Sequence, residues 1–242
     1  MKQHFQTAAS RRSARGLQIV AAGIIGLLAV VSAAVCGEAA DATRNSQRVL
    51  FEDKLAGKLA DGWSWVREDP EGWQVSDDGL RIRVQPGGLW GPGNDAKNVL
   101  VRMLPEVKAK TIAAEVTLSS KPVGQYEQAG IAWYYDDGNM VKFVKECVDG
   151  KTHIVMGREQ EDRARTVALI PAKIGDVQLR LSVTGDKISG QYRPAGQKDW
   201  KDAGTCDLPS KGQAKVSLQV YNGSADAERW ARFRDFRVLE LK

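Results

Sequence analysis

Short runs in which apolar and polar residues alternate follow one another from residue 49 to the end of the chain. They cover residues 49–52, 63–67, 80–84, 99–104, 111–118, 129–135, 141–148, 153–156, 166–170, 177–183, 188–192, 216–221 and 233–239. Alternation with a period of two is typical of β-strands that bury one face, and no long run has the period of an amphipathic helix. The pattern therefore predicts about a dozen strands.

Turn-forming residues separate most of these runs. Examples are Asp78-Gly79, Gly91-Pro92-Gly93, Asp137-Gly138-Asn139 and Asp149-Gly150. Because no helices are available to cross between parallel neighbours, the strands are expected to pair antiparallel. No internal repeat and no linker rich in Pro or Ser divides residues 45–242. The sequence predicts one all-β domain, an antiparallel two-sheet sandwich whose first and last strands pair.

Residues 126–150 read as a β-hairpin around the Asp-Gly-Asn turn. Strand parity predicts that Ile131, Trp133 and Phe143 point into the core. One outer face is then expected to carry Tyr134, Asp136, Lys142, Glu146 and Arg180, with Asn98 and Arg102 from an earlier strand. Such a face suits a polar ligand, although a solvated sheet displays the same mixture of charges.

The net charge of +5 changes this picture little. Residues 1–42 hold four basic and two acidic side chains, which contribute 4 − 2 = +2 and leave +3 for the remainder. Acidic and basic residues are interspersed throughout, and no basic stripe is visible in the sequence. Nucleic acid is therefore not an expected partner.

The N-terminal residues 1–42 read as an export signal. Arg11, Arg12 and Arg15 precede an uncharged, mostly apolar stretch that ends at Gly37. Cleavage near residues 39–42 would give a secreted or periplasmic protein, whereas an uncleaved segment is long enough to anchor it in a membrane. A lipid anchor on Cys36 is disfavoured because the large Val35 stands where a small residue is expected.

Export affects how the cysteines are interpreted. Without the leader only Cys147 and Cys206 remain, and a disulfide between them would persist in an oxidising compartment. The alternative is two separately buried thiols. The pair shows no metal-ligand spacing with His153.

Catalytic motifs are absent from the sequence. Glu-x-Asp-x-x-Glu, with which some β-sandwich hydrolases flank a glycosidic bond, does not occur. The acidic group at residues 159–162 precedes Arg163 at an expected turn and is predicted to be a solvated loop. Asp136, Asp137, Asn139 and Glu146 are oxygen ligands that would suit calcium, but a turn prefers the same residues. No cofactor other than this possible calcium is expected.

Tryptophans are the other candidates, because sugars bind by stacking on aromatic rings. Trp63, Trp65, Trp133 and Trp230 are predicted to lie in the core. Trp90 differs, since Gly88, Gly91, Pro92 and Gly93 surround it in a loop that cannot bury much around it. It is either a binding platform or a lid over the edge of the core.

Several stretches together resemble the family called domain of unknown function 1349. They are VLFEDKLAGKLADGWSWVRED, GLRIRVQPGGLWGPGNDAKNVLVRMLP, YEQAGIAWYYDDGNMVKFVKECVDG, VQLRLSVTGDKISGQYRPAGQKDW and ARFRDFRV, and they span almost everything from residue 48 onward. That family is similar to the concanavalin A-like sandwich at the C-terminus of family 43 β-xylosidases. The resemblance implies a curved jelly roll whose concave face is often a carbohydrate site, and it leaves the substrate open. The β-xylosidases carry their catalytic carboxylates on a separate propeller, for which this chain has no room.

The sequence therefore favours an exported, non-catalytic glycan-binding sandwich, with Trp90, Asn98, Tyr134, Asp136, Lys142, Glu146 and Arg180 as the binding residues. One alternative is a glycoside hydrolase, in which Glu146 and Asp136 would face each other across a cleft of about 5 to 9 Å. Another is a scaffold for protein partners, which would expose an apolar patch. The sequence does not determine the sugar or the oligomeric state.

Overall fold

A computed structural model describes residues 47–105 and 110–242. The predicted export signal at residues 1–42, with Cys36, lies outside the described residues. Across the part of the chain that is described, no helix is both long and apolar enough to cross a membrane.

The described residues form seventeen strands and one short 3-10 helix. The strands are β1 (Arg48–Asp53), β2 (Trp63–Val66), β3 (Trp73–Ser76), β4 (Gly79–Arg83), β5 (Leu89–Trp90), β6 (Gly93–Asn94), β7 (Val99–Met103), β8 (Thr111–Ser119), β9 (Gln128–Asp136), β10 (Asn139–Val148), β11 (Lys151–Gln160), β12 (Arg163–Pro171), β13 (Val177–Thr184), β14 (Lys187–Pro194), β15 (Lys201–Asp207), β16 (Lys215–Tyr221) and β17 (Trp230–Leu241). The 3-10 helix is Pro70–Gly72.

Two antiparallel sheets form the predicted sandwich. The eight-stranded sheet has the order β15-β14-β13-β8-β17-β4-β3, with β1 also paired to β17. The seven-stranded sheet has the order β12-β11-β10-β9-β16-β7-β2. The predictions of an antiparallel all-β fold and of paired terminal strands are confirmed.

The core lies between the two sheets. Ile131, Trp133 and Phe143 face it from the seven-stranded sheet, and Leu179 and Phe233 face it from the other. Each large side chain buried there stabilises the fold by roughly 1.5–3 kcal/mol. The predicted inward parity of the 126–150 hairpin is confirmed.

A second, smaller apolar cluster forms on the outside of the seven-stranded sheet. The loop between β4 and β7 crosses this face, and it carries the small β5–β6 hairpin. The backbone N–H of Asn222 donates to Gly87 O at 2.9 Å, and that of Gly223 donates to Gln85 O at 2.9 Å, so the loop is fixed to the end of β16. Leu89 and Ala96 of the loop are buried against Tyr134, Met140 and Tyr221 of the sheet.

Cys147 and Cys206, the cysteines of the described residues, are free thiols, so the disulfide considered from the sequence is not formed. Cys147 lies on β10, where its thiol donates to Val123 O at 3.2 Å. Cys206 lies on β15, in the other sheet, and burial raises the pKa of its thiol to about 11. Both are buried side chains of the fold.

Candidate functional site

Polar side chains lie buried on the outer face of the seven-stranded sheet, under the β4–β7 loop. Lys142 and Glu146 point outward from β10, and the register places Gln128 opposite Glu146. Glu159 points outward from β11 on the same face. Burying a charged side chain is costly unless the charge is paired and hydrogen-bonded.

Lys142 is the centre of this group. Its side chain is only 3% exposed, and its Nζ donates to Gln128 Oε1 at 2.7 Å and lies 3.5 Å from Glu146 Oε2. The ammonium also lies 4.1 Å from the centroid of the Trp90 ring, a cation–π distance. Burial lowers the pKa of Lys142, while the charge of Glu146 acts in the opposite direction.

Trp90 lies flat against the sheet because position 157 of β11 is glycine. A Cβ at Gly157 would stand 2.7 Å from Trp90 Cζ3, 2.8 Å from Trp90 Cη2 and 2.9 Å from Lys142 Cε. Any larger residue at this position would therefore displace the indole. The glycine is what lets the β5–β6 hairpin approach the sheet closely.

The Trp90 ring forms one wall of a cavity of about 420 Å³. Its other walls are Tyr126, Gln128, Lys142, Glu146, Val148, Val155, Thr166, Leu169 and Asn222. Tyr126 and Leu169 are about half exposed and form part of the rim. Aromatic and aliphatic walls with a few amides and charges are typical of a small-ligand site, and the volume lies in the usual range. We call this the Trp90 cavity.

The two glutamates of this face have perturbed acidities. Burial raises the pKa of Glu146, although Lys142 and His153 partly offset the effect. Burial also raises the pKa of Glu159 to about 7, against the effect of the Lys142 charge. Glu159 is 1% exposed, and neither of its carboxylate oxygens has a hydrogen-bond partner among the described residues. The prediction that residue 159 belongs to a solvated loop is wrong, because β11 continues to Gln160.

A glutamine at position 159 should make the protein more stable at alkaline pH. The folded-state pKa is about 7 against an ordinary 4.5, so the unfolded state loses its proton first as the pH rises. Stability therefore falls between about pH 4.5 and 7, and the loss is complete above that range. We expect Glu159→Gln to melt at a higher temperature than the parent at pH 8 and at the same temperature at pH 4. Glu161→Gln, which alters an exposed neighbour, should show no such dependence; equal curves for Glu159→Gln and the parent at pH 8 would contradict the prediction.

Three of the residues predicted from the sequence meet in the Trp90 cavity: Trp90, Lys142 and Glu146. Tyr134 does not line it, because the β4–β7 loop buries its ring and its hydroxyl donates to Asp137 Oδ1 at 2.8 Å. Asn98 is fully buried, with its Oδ1 accepting from the Asp69 N–H and its Nδ2 donating to Gln85 Oε1. Both residues stabilise the loop rather than line the cavity.

Asp136 and Arg180 lie elsewhere. The Asp136 carboxylate accepts from the Gly138 N–H at 3.0 Å and from Asn139 Nδ2 at 2.9 Å, the contacts of a turn. Asp137, the second proposed calcium ligand, pairs with Arg67 at 2.6 Å. Arg180 belongs to the eight-stranded sheet and forms an ion pair with Glu115 on its outer face. The prediction that Arg180 shares a face with Lys142 is wrong.

Arg102 does not share that face either. Its guanidinium donates to Asp61 O and stacks 3.4 Å from the Phe51 ring centroid.

The sequence interpretation missed Gln128, Tyr126 and Asn222, which line the cavity. Parity identifies Gln128, which lies opposite Glu146 in the register. Tyr126 and Asn222 have positive φ angles of 63° and 59° in connecting segments, where no sequence pattern predicts their direction.

The family model for the β-xylosidase C-terminal concanavalin A-like domain matches residues 51–238. The GH43 protein BlXynB of Bacillus licheniformis superposes with a TM-score of 0.68 at 23% identity, over 78% of this chain and 39% of that one. The xylan β-1,4-xylosidase of Bacillus halodurans C-125 gives 0.64 at 19% identity, over 77% and 38%. A functionally unknown protein from Saccharomyces cerevisiae gives 0.55 at 15% identity, over 74% and 93%.

These similarities establish the fold. The chain spans about two-fifths of the two bacterial proteins, 39% and 38%. No curated protein matches it significantly.

Proposed function

The chain belongs to the family of concanavalin A-like domains found at the C-terminus of β-xylosidases, and from this premise we propose that its Trp90 cavity binds a glycan chain without cleaving it. The observation that carries the proposal is the aromatic wall of the cavity beside a buried amide and two buried charges. Trp90 offers an apolar ring to the face of a sugar, and Gln128, Lys142, Glu146 and Asn222 offer donors and acceptors for its hydroxyls.

The geometry argues against hydrolysis by the pair suggested from the sequence. Asp136 lies opposite Asn139, and Glu146 is seven residues further along β10. At about 3.3 Å per residue, the two Cα atoms are about 23 Å apart. Glycosidases need their two carboxyl groups about 5 to 9.5 Å apart. Asp136 and Glu146 therefore do not flank one bond.

Glu146 and Glu159 have raised pKa values, which is common at catalytic sites. Glu146 lies opposite His153, and Glu159 is six residues further along β11. Their Cα atoms are thus about 20 Å apart along the strands. Each carboxylate instead lies near the same lysine, Lys142. Glu146 is a polar anchor of the proposed binding site, whereas Glu159 does not line the Trp90 cavity.

Export belongs to the same proposal. Residues 1–42 read as a signal that delivers the domain to the compartment in which polysaccharides are met, or anchors it there.

Trp90→Ala should weaken glycan binding by about 1–3 kcal/mol, because it removes the central aromatic anchor of the cavity. The measurement is calorimetric titration of the parent with a panel of xylo-, arabino-, gluco- and galacto-oligosaccharides, followed by titration of the variant with the best ligand. Trp200→Ala is the matched control, since Trp200 is also half-buried and stacked by cations, at 4.0 Å from Arg180 and 4.2 Å from Arg193, but lies in the β14–β15 connection over the other sheet.

The control should bind as the parent does, and both variants should retain the β-type circular dichroism. Glu146→Gln then separates binding from hydrolysis. Release of reducing sugar by the parent that disappears in Glu146→Gln would overturn the non-catalytic proposal. Failure of the parent to bind any of the panel, together with unfolding of Trp90→Ala, would overturn the binding proposal itself.

A further inference from the structure

The outer face of the eight-stranded sheet is strongly cationic. Arginines point outward from β4 and β17 and, on the far side of β8, from β13 and β14, because the residues between them belong to the core. They are Arg81 and Arg83 on β4, Arg232, Arg234 and Arg237 on β17, Arg180 on β13 and Arg193 on β14. The linear sequence shows no basic stripe, but the alternation of each strand collects these side chains on one surface.

Carboxylates and an amide of the protein bind some of these arginines. Arg180 and Arg237 share Glu115, and Arg234 pairs with Asp176 at 2.8 Å. Arg193 donates to Gln178 Oε1 at 2.6 Å. Arg81, Arg83 and Arg232 have no carboxylate of the described residues within 4 Å of their guanidinium groups.

Arg81 and Arg232 stand directly opposite each other on β4 and β17. Like charges at such a cross-strand position repel each other and destabilise the sheet. Ser119 is the neighbour of Arg232 on its other side, and its buried Oγ has no hydrogen-bond partner among the described residues. A bound anion would accept hydrogen bonds from both guanidinium groups and from the Ser119 hydroxyl.

Trp230 lies beside this pair. It was predicted to be a core residue, but Ala231 and Phe233 take the inward positions of β17, so the Trp230 ring lies on the outer face and is only partly buried. The Arg81 guanidinium is 5.1 Å from its ring centroid. Ser76, Asp78, Arg81, Ser119, Trp230 and Arg232 together line a cavity of about 320 Å³. Asp78, the one carboxylate of this lining, is exposed.

We propose that Arg81, Arg232 and Trp230 form a second glycan site that binds a carboxylate-bearing sugar, a uronic acid residue of an acidic polysaccharide. The two guanidinium groups hold the carboxylate, the Trp230 ring packs against the apolar face of the sugar, and Ser119 and Ser76 bond to its hydroxyls. In a charged sugar the carboxylate and the apolar ring face lie close together, as do the two arginines and the Trp230 ring. In a nucleic acid the phosphates stand apart from the bases, so a charged sugar fits this arrangement better. The site lies on the opposite sheet from the Trp90 cavity.

The test uses the full chain and two matched polymers, polygalacturonate and the same polymer after carboxyl reduction. We expect the parent to bind polygalacturonate and to bind the reduced polymer at least tenfold more weakly. Arg81→Gln/Arg232→Gln and, separately, Trp230→Ala should each weaken polygalacturonate binding at least tenfold. The charge-matched control Lys58→Gln/Lys187→Gln removes two exposed lysines that do not line this cavity and should bind as the parent does.

The arginine double variant should remain folded, because removing the facing like charges relieves a repulsion; its melting temperature should be unchanged or higher. Trp90→Ala should bind polygalacturonate normally, so the two sites can fail independently. Three results would overturn the proposal: no polygalacturonate binding by the parent, equal loss in the lysine control, or tighter binding through Arg81 and Arg232 to anionic phospholipid vesicles or to duplex DNA than to polygalacturonate.

Discussion

Replacing Glu115 with alanine should lower the free energy of unfolding by about 3–5 kcal/mol, the usual cost of removing one member of a buried ion pair. Glu115 is 3% exposed and lies between two guanidinium groups. Its Oε1 accepts from Arg180 Nε at 2.5 Å, and its Oε2 accepts from Arg237 Nη2 at 2.9 Å. Without the carboxylate, both arginines would be left on an already cationic face, and the Nε of Arg237 has no partner to begin with.

Urea denaturation of the parent and the variant measures this difference. Glu240→Ala is the matched control, because Glu240 pairs with Arg48 at 2.6 Å on an adjacent part of the same sheet, where the arginine is 63% exposed. An exposed pair of this kind contributes about 0–1 kcal/mol, so the control should lose no more than that. A loss of under 1 kcal/mol in Glu115→Ala as well would show that the buried network is not what holds these strands together.

Gly157→Val should lower the affinity of the Trp90 cavity for its glycan about 100-fold, or about 3 kcal/mol. The new side chain would occupy the space of the Trp90 ring and of the Lys142 methylene chain, which come within 2.7 and 2.9 Å of its first carbon. Valine suits a strand, and the position faces outward, so the sandwich itself should remain intact. Calorimetric titration with the best oligosaccharide of the panel gives the affinity.

A double-mutant cycle makes this prediction specific. If the valine acts by displacing the indole, Gly157→Val added to Trp90→Ala should cost little more than Trp90→Ala alone. Additive losses would contradict the steric explanation. Gly175→Ala is the control, because a Cβ there meets nothing within 4 Å.

Strand parity predicts much of this protein from its sequence. It correctly directs Ile131 and Phe143 to the core and Lys142 and Glu146 to the outside. Parity does not state which sheet a strand joins, however, and Arg180 was therefore assigned to the wrong face. Sheet membership depends on pairing between strands that are far apart in sequence, such as β13 with β8.

The remaining errors have local causes. Trp230, which precedes the last predicted strand run, is predicted to lie in the core, whereas the β17 register directs it outward beside Arg81. Tyr134 does point outward, as predicted, but a loop from another part of the chain covers it. Asn98 has a positive φ of 52° and uses its amide to fix that loop, a role that residue type alone does not reveal. The alternation of polar and apolar residues does not show which distant loop covers a strand. It also does not show the backbone conformation of a residue in a connecting segment.

The order of strands also determines when this domain is able to fold. The last two strands of the chain are internal to their sheets, since β16 lies between β9 and β7, and β17 lies between β8 and β4 and also pairs with β1. The Arg48–Glu240 pair joins residues 192 positions apart. Each sheet therefore lacks a central strand until the C-terminal residues have left the ribosome, and such distant pairings close slowly. The domain can therefore fold only after β17 has been synthesised, and a chain that loses β17 loses the strand that joins β8, β4 and β1.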